Sequence, residues 1–570
     1  MHAPDSAAPS AAPTTDAPPT VDAPSVAATP DPDAVGLGID PADLDIAVRV
    51  LAAVDELPLD HPDALAVQRA TSRLYKTVKQ RRKNEKRQAI LDHDAAVTAK
   101  TATGAPGRID DETQGLPLVS SARGAIAGVL QQDRACYVCK QAFRQVDAFY
   151  HQLCPSCAEL NHARRDARTD LAGRRALLTG GRAKIGMYIA LRLLRDGAHL
   201  TITTRFPNDA ARRFSAMPDS ADWIDRLRIV GIDLRDPAQV IALADSVAAA
   251  GPLDILVNNA AQTVRRSPQA YALLADAEAA PFEALPGRGT PEFVVLGRPD
   301  AGSGAVAGGG SLGGDGASVG GMSVGAGTSL PAAALDHPAN ADRSTLGTQG
   351  MSNVDRSALA HAAAVVPGGH WAPTPHALSA LALQANSASP DRVAMGTAID
   401  AGGLVPDLHH TNSWVQTVDE VDATELLEVQ LCNQTAPFIL IGRLRPALRA
   451  SSARRTYVVN VSAMEGQFGR GYKGPGHPHT NMSKAALNML TRTSAQEMLE
   501  SDGILMTAVD TGWITDERPH PQKMRLADDG FHAPLDLVDG AARVYDPIVR
   551  GELGEDLHGV FLKDYAPYPW

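Results

Sequence analysis

The chain has 570 residues, with 53 Lys and Arg against 65 Asp and Glu, a formal net charge of −12. That length exceeds one domain, and the acidic balance argues against bulk attraction to a phosphate backbone or an anionic membrane, leaving only a local basic patch for such a role. The first thirty residues carry no basic and then apolar leader, and no run of about 18 apolar residues occurs, so a soluble, cytoplasmic protein is expected.

In chain order, residues 1–40 are Ala, Pro, Asp, Ser and Thr, too poor in large apolar side chains to offset the entropy of ordering, and are expected to be disordered. Residues 41–128 form a helical N-terminal region: Leu44, Val48 and Leu51 recur at helical spacing, and "RLYKTVKQRRKNEKRQAIL" continues the pattern. Its cluster Lys79, Arg81, Arg82, Lys83, Lys86 and Arg87 has the composition of a nuclear-import or nucleic-acid patch, although a solvated helix face is the preferred reading.

Residues 129–165 hold four of the five cysteines, as "CYVC" and "CPSC". Each CxxC turns two sulfurs toward one point, and the fourteen residues between the pairs suffice to bring Cys136, Cys139, Cys154 and Cys157 around a tetrahedral Zn2+. Four protein ligands leave no open position for water or substrate, so the expected zinc is structural. The stretch looks too short for its own core, which gives the metal most of the folding free energy. His151 and His162 rank low as substitute ligands, and Cys432 is the odd cysteine.

From 174 onward short β-branched runs alternate with amphipathic stretches, the pattern of βα units and a parallel sheet. "RALLTG", "HLTITTR", "LRIVGIDL", "DILVNNA", "TYVVNVSA", "ILMTAVD" and "GVFLKDY" read as strands. The expected fold class is α/β, a Rossmann-type doubly wound parallel sheet built from 172–261 and 414–570, preceded by the four-cysteine zinc module and the N-terminal helices. Residues 262–413 are an insertion into that domain. Its Gly/Ser/Ala tract forms no packed core and is expected to be disordered, while 262–285 has room to fold over the sheet as a lid.

"TGGRAKIG" joins the first of these strands to a helix, where glycines let the backbone approach a pyrophosphate and the helix start offers free N–H groups. With "GIDL", "NNAA" and "SKAAL" in the same order, it resembles the classical short-chain dehydrogenase/reductase family over roughly 172–261 and 414–565. The resemblance implies that Gly180, Gly181, Arg182, Lys184, Ile185 and Gly186 surround the cofactor phosphates. It places Asp233 and Leu234 at the adenine, Asn258, Asn259 and Ala260 at the central strand and cofactor, and Ile514 among the residues that bind the cofactor. Asn433 in "CNQTAPF" matches the proton-relay asparagine, and Lys484 the lysine that holds the ribose and acidifies the catalytic phenol. Thr204 and Arg205 stand where NAD-preferring members have an acid, which favours NADP(H), with NAD(H) as the alternative.

The match departs from the family at the chemistry. Lys184 replaces the middle glycine, Ala463 takes the catalytic serine's position beside Ser462, and Thr480 takes the tyrosine's. Thr480 keeps the i, i+4 relation to Lys484, yet an aliphatic alcohol is a far weaker acid than a phenol. Tyr472, His477, His479, or Ser462 and Thr480 with water, are the candidate replacements, and Thr515 falls one residue short of the usual carboxamide threonine. The leading expectation is an NADP(H)-dependent oxidoreductase of a carbonyl or alcohol, a homo-oligomer as the resemblance implies. An inactive nucleotide-binding scaffold or redox sensor, reaching a protein partner through the zinc module, is the alternative, and nucleic-acid binding ranks last.

Overall fold

The computed structural model describes residues 38–106, 108, 118–284, 289–296, 374–383, 387–388, 390–469, 471, 473–514 and 517–570. The tail before residue 38, the tract 297–373, Tyr472 and Thr515 lie outside them. Two compact units divide the chain, Met1–Gln88 and Ala89–Trp570. In the first, Asp40 caps the helix Pro41–Asp55 by accepting from the Ala42 N–H at 2.8 Å, and Pro41 at the helix start costs no hydrogen bond. The basic cluster at 79–87 is exposed along the helix Pro62–Thr98.

The second unit begins with a hairpin, β1 (Ile126–Ala135) and β2 (Ala142–Asp147), which opens three residues before the expected module boundary at 129. The cysteine stretch is not coreless. Val97, Leu130, Phe143 and Val146 pack around Cys136 and Cys154, and Tyr150 and Leu153 join Ile514, Leu535 and Leu537 of the sheet domain. The module thus borrows apolar surface from both neighbours, which a local reading of about thirty residues does not reveal.

The main sheet contains β3 (Arg175–Leu178), β4 (His199–Thr204), β5 (Leu227–Gly231), β6 (Ile255–Asn258), β7 (Glu292–Val295), β8 (Thr456–Ser462), β9 (Ile504–Asp510), β10 (Phe561–Lys563) and β11 (Ala566–Tyr568). Their order is β11-β10-β9-β8-β6-β3-β4-β5-β7, all parallel except the β10–β11 hairpin. Covered on both faces, β8 and β9 bury every residue, which is why their sequences run apolar without alternation. One apolar layer holds Ile189, Leu193, Val544 and Ile548 under the helices Lys184–Arg195 and Leu537–Glu552. The other holds Val240, Leu243, Leu440 and Leu444 under Pro237–Ala249 and Ala436–Arg449. Each such side chain contributes about 1.5–3 kcal/mol by leaving water.

Strand order reverses between β3 and β6, so the loops leaving these two strands part and open a crevice at their carboxyl ends. The Rossmann-type α/β class read from the sequence is the observed one. An element that the sequence reading missed is β7, an edge strand inside the insertion, pairing Arg228 with Glu292 through Gly231 with Val295. Four residues flanked by Gly and Pro give no periodicity to read. The insertion also supplies the helices Ala272–Ala279 and Pro375–Ala382, whose Ala277, Leu378 and Ala382 bury with Ile399 in a small core.

Candidate active site

A cleft of about 1530 Å³ lies at the carboxyl ends of the strands, and the phosphate loop forms one end of it. Gly180 adopts φ 71°, open to glycine, and a Cβ there would meet the Ala260 Cα at 2.9 Å. A Cβ on Gly186 would overlap the Gly180 carbonyl oxygen, and one on Gly181 would press on Ile202 at 2.6 Å. The Asn259 amide donates to the Thr179 and Gly180 carbonyls at 3.0 and 3.1 Å, while the Asn259 and Ala260 N–H groups both donate to the Thr179 hydroxyl. The backbone before and at the start of the helix Lys184–Arg195 is therefore open at Gly180, Gly181 and Gly186 and held in place, which suits a pyrophosphate. Lys184, at φ 53°, turns out of the loop to Glu517 at 3.5 Å, and Ile185 packs under it beside Gly540.

Just past the end of β4, Arg205 lies over the rings of Phe206 and Tyr271, with its guanidinium donating to the Tyr271 hydroxyl at 3.3 Å. Arg182, expected around the cofactor phosphates, lines the cleft and lies over the Phe206 ring as well, with its guanidinium engaged by the protein. Its guanidinium donates to buried Asp209 at 2.5 Å and to the Gly402 carbonyl at 2.8 Å. Burial opposes the Asp209 charge, but Arg213 and Arg182 overcome it and hold the carboxyl down at about 2, with Ser379 donating at 2.7 Å. Asp209 thereby ties two pieces of the insertion, around Ser379 and Gly402, to the phosphate loop. Asp233 is paired with Arg235 at 2.6 Å, and Leu234 lines the cleft.

At the opposite end, Asn433 sits in a widened turn at Leu431–Thr435, a local bulge of a kind frequent at functional sites. It accepts from the Gln262 N–H at 2.7 Å and donates to the Gln262 carbonyl at 2.9 Å. Lys484, on the helix Pro478–Asp502, donates to the Val461 carbonyl at 2.8 Å, and burial pulls its ammonium down to about 8. The remaining candidates divide. Ser462 donates its hydroxyl to Asn488 at 2.5 Å, and Thr480 pairs with His479, whose imidazole burial holds below its ordinary value. His477 lines the cleft, stacked on Trp414 at 4.0 Å with Nδ1 on the Trp414 carbonyl. Cys432 lies nearby, and burial pushes its thiol up to about 11, so it stays protonated.

The four module sulfurs all lie within 4.8 Å of one another, with Cys139 and Cys154 at 3.6 Å. A tetrahedron of bonds of about 2.3 Å sets its sulfurs about 3.8 Å apart, so the cluster fits Zn2+. His151 instead pairs with Thr103, and His162 with Asp147. The module docks firmly: Tyr150 donates to Asp539 at 2.6 Å, and Arg165 forms a fork to Asp536 at 2.6 and 2.8 Å. It also reaches the cleft, a role the sequence reading missed. Tyr137, inside "CYVC", accepts the Trp513 N–H at 2.9 Å, and both line the cleft near buried Ile514. Asp510, which ends β9, lines it as well. Its signal was present, a carboxylate closing an apolar strand, "ILMTAVD".

The short chain dehydrogenase family matches residues 174–279. An uncharacterized protein of Acanthamoeba polyphaga mimivirus is 26% identical over 426 residues, covering 73% of this chain and 71% of that protein. A probable oxidoreductase of Streptomyces antibioticus is 41% identical over 91 residues, and a short-chain type dehydrogenase/reductase of Picea abies 36% over 104. These matches cover 16% and 17% of this chain and span only 30% and 38% of those relatives' lengths. Among solved structures, a Pseudomonas aeruginosa active-site complex with NADP superposes with TM-score 0.36 at 18% identity, over 69% of this chain and 95% of that one. The NADPH-bound carbonyl reductase from chicken fatty liver gives 0.34 at 15%, over 72% and 98%. The segment that matches the short chain dehydrogenase family, residues 174–279, contains the phosphate loop of Gly180, Gly181 and Gly186.

Proposed function

We propose that the protein is an NADP(H)-dependent oxidoreductase that interconverts a small-molecule carbonyl and its alcohol, with a proton donor other than the family's tyrosine. The observation carrying this reading is that the bare phosphate loop, Asn433 and Lys484 line or border one continuous cleft. A bound pyridine nucleotide supplies the hydride. The residues of this chain do the rest. Gly180, Gly181 and Gly186 admit the diphosphate, while Asp233, Leu234 and Ala260 border the adenosine side. The Lys484 ammonium would hold the sugar next to the redox ring and stabilise negative charge developing on substrate oxygen, and Ile514 would border the cofactor.

Arg205 is the exposed cation placed for a 2'-phosphate, with Tyr271 steering it and no carboxylate at the end of β4. NADPH is therefore favoured over NADH. A structural Zn2+ on Cys136, Cys139, Cys154 and Cys157, assembly of copies into a homo-oligomer, and a cytoplasmic location complete the proposal. Among the described residues, no helix is long and apolar enough to cross a membrane.

The test is calorimetric titration of the metal-loaded chain with NADPH and NADH, followed by NADPH oxidation with benzaldehyde, diacetyl and cyclohexanone. Saturable NADPH binding with turnover of at least one carbonyl is expected. Absence of binding by either nucleotide ends this reading.

A further inference from the structure

We propose that Asp510 donates the proton to the substrate carbonyl oxygen, in place of the absent phenol. This rests on the oxidoreductase reading above and names its missing acid.

Asp510 is the last residue of β9, and its Cα partner on β8 is Ser462, beside the position vacated by the family's serine. Alternation along the strands fixes its side. Val458 on β8 and Ile504 and Met506 on β9 face the layer that also buries Ala495 and Met498 of the Lys484 helix. Asp510, four residues beyond Met506, shares that face. It is only 5% exposed, yet it lines the cleft, and among the described residues its carboxylate has no hydrogen bond or ion pair. A buried, unpartnered carboxylate is costly to ionise, so the group holds its proton to a higher pH than an ordinary aspartate, and the cleft is where that proton can go.

The surroundings agree from every side. Burial raises the Asp510 carboxyl most, Asp564 on the β10–β11 turn and Glu465 after β8 raise it further, and Lys563 and Arg543 oppose them, leaving it pushed up to about 6. Lys563 is itself paired with Asp564 at 2.5 Å, which blunts its pull. Glu465 also favours the charged form of Lys484, so one carboxylate supports both the ammonium and the acid. An acid with a pKa near the working pH suits proton transfer. The alternatives are less free: Ser462 gives its hydrogen to Asn488, and Nδ1 of His477 is bound by Trp414.

In the reducing direction, the carbonyl carbon takes the hydride and its electron pair from the reduced nucleotide. The Asp510 O–H bond breaks, and a new O–H bond forms on the substrate oxygen. Water then reprotonates the carboxylate. In the oxidising direction the carboxylate takes the alcohol proton.

The experiment compares wild type, Asp510→Asn and His477→Gln in the full, zinc-loaded chain, with NADPH and the three carbonyls named above. Infrared titration of carboxyl groups without substrate gives a readout independent of turnover. Asp510→Asn is expected to bind NADPH within about twofold of wild type and to lose about a hundredfold or more in turnover. The protonated-carboxyl band that titrates near 6 in wild type should disappear in this variant. Retained turnover in Asp510→Asn, loss of turnover only in His477→Gln, or persistence of the titrating band would each overturn the assignment while leaving the oxidoreductase reading intact. Failure of wild type to bind NADPH removes both.

Discussion

The two ends of the cleft are built by different means. At the phosphate end, binding depends on what is missing: three glycines leave backbone bare, and Thr179 and Asn259 hold that backbone with hydrogen bonds that tolerate little variation. At the other end, the proposed chemistry depends on particular side-chain acids, and Ala463 and Thr480 stand where the resemblance would place a serine and a tyrosine. The first end is a steric requirement that one methyl can violate. The second is a requirement for a proton at the right place, which a different group can meet.

The sharpest way to break this contrast is through the metal. Stripping the module with a chelator removes a term of about 10 kcal/mol or more in comparable sites, so a large drop in Tm and a loss of nucleotide-dependent activity are expected in a thermal melt with parallel assays. Next comes the phosphate end. Gly186→Val is expected to abolish NADPH binding by calorimetry while the circular dichroism spectrum stays folded, because the new side chain collides with the Gly180 backbone.

Removing Asp209 tests whether the insertion is part of that end. Asp209→Asn strands two buried guanidiniums and is expected to cost about 3–5 kcal/mol in denaturant unfolding. Because folding depresses this carboxyl to about 2, its contribution is complete above the unfolded value near 3.8 and fades as pH falls toward 2; Asp209→Asn should lose that part of the acid dependence.

A smaller effect probes the redox end by pH. Lys484 carries its charge below about 8, so NADPH affinity should weaken as pH rises through that value, and Lys484→Met should remove the dependence in a fluorescence titration. The smallest is specificity. Arg205→Ser should narrow the preference for NADPH over NADH by about tenfold, one charge-assisted contact, as read from the two dissociation constants.

Much of the phosphate end was legible because its residues are consecutive. "TGGRAKIG" and "NNAA" state their geometry locally, and the apolar runs of β8 and β9 announce strands buried on both faces. Arg182 reads as a phosphate ligand in that local view, but the fold gives it to Asp209, twenty-seven residues away, and to Gly402, across the insertion. Tyr137 carries no local signal of its role, although its hydroxyl meets Trp513 at the far end of the chain. Such partnerships are set by packing between distant segments, and no periodicity records them. The edge strand β7 was hidden for a different reason: four residues can pair with β5 because β5 is already in place, without any intrinsic strand signal of their own.

The hydrogen bond from Trp513 to Tyr137 places the turn between Cys136 and Cys139 in mechanical contact with the wall of the cleft. If the four thiols hold an ion, as proposed, linkage runs both ways: an ion whose affinity depends on the state of the cleft would change the affinity of the cleft's occupant by the same factor.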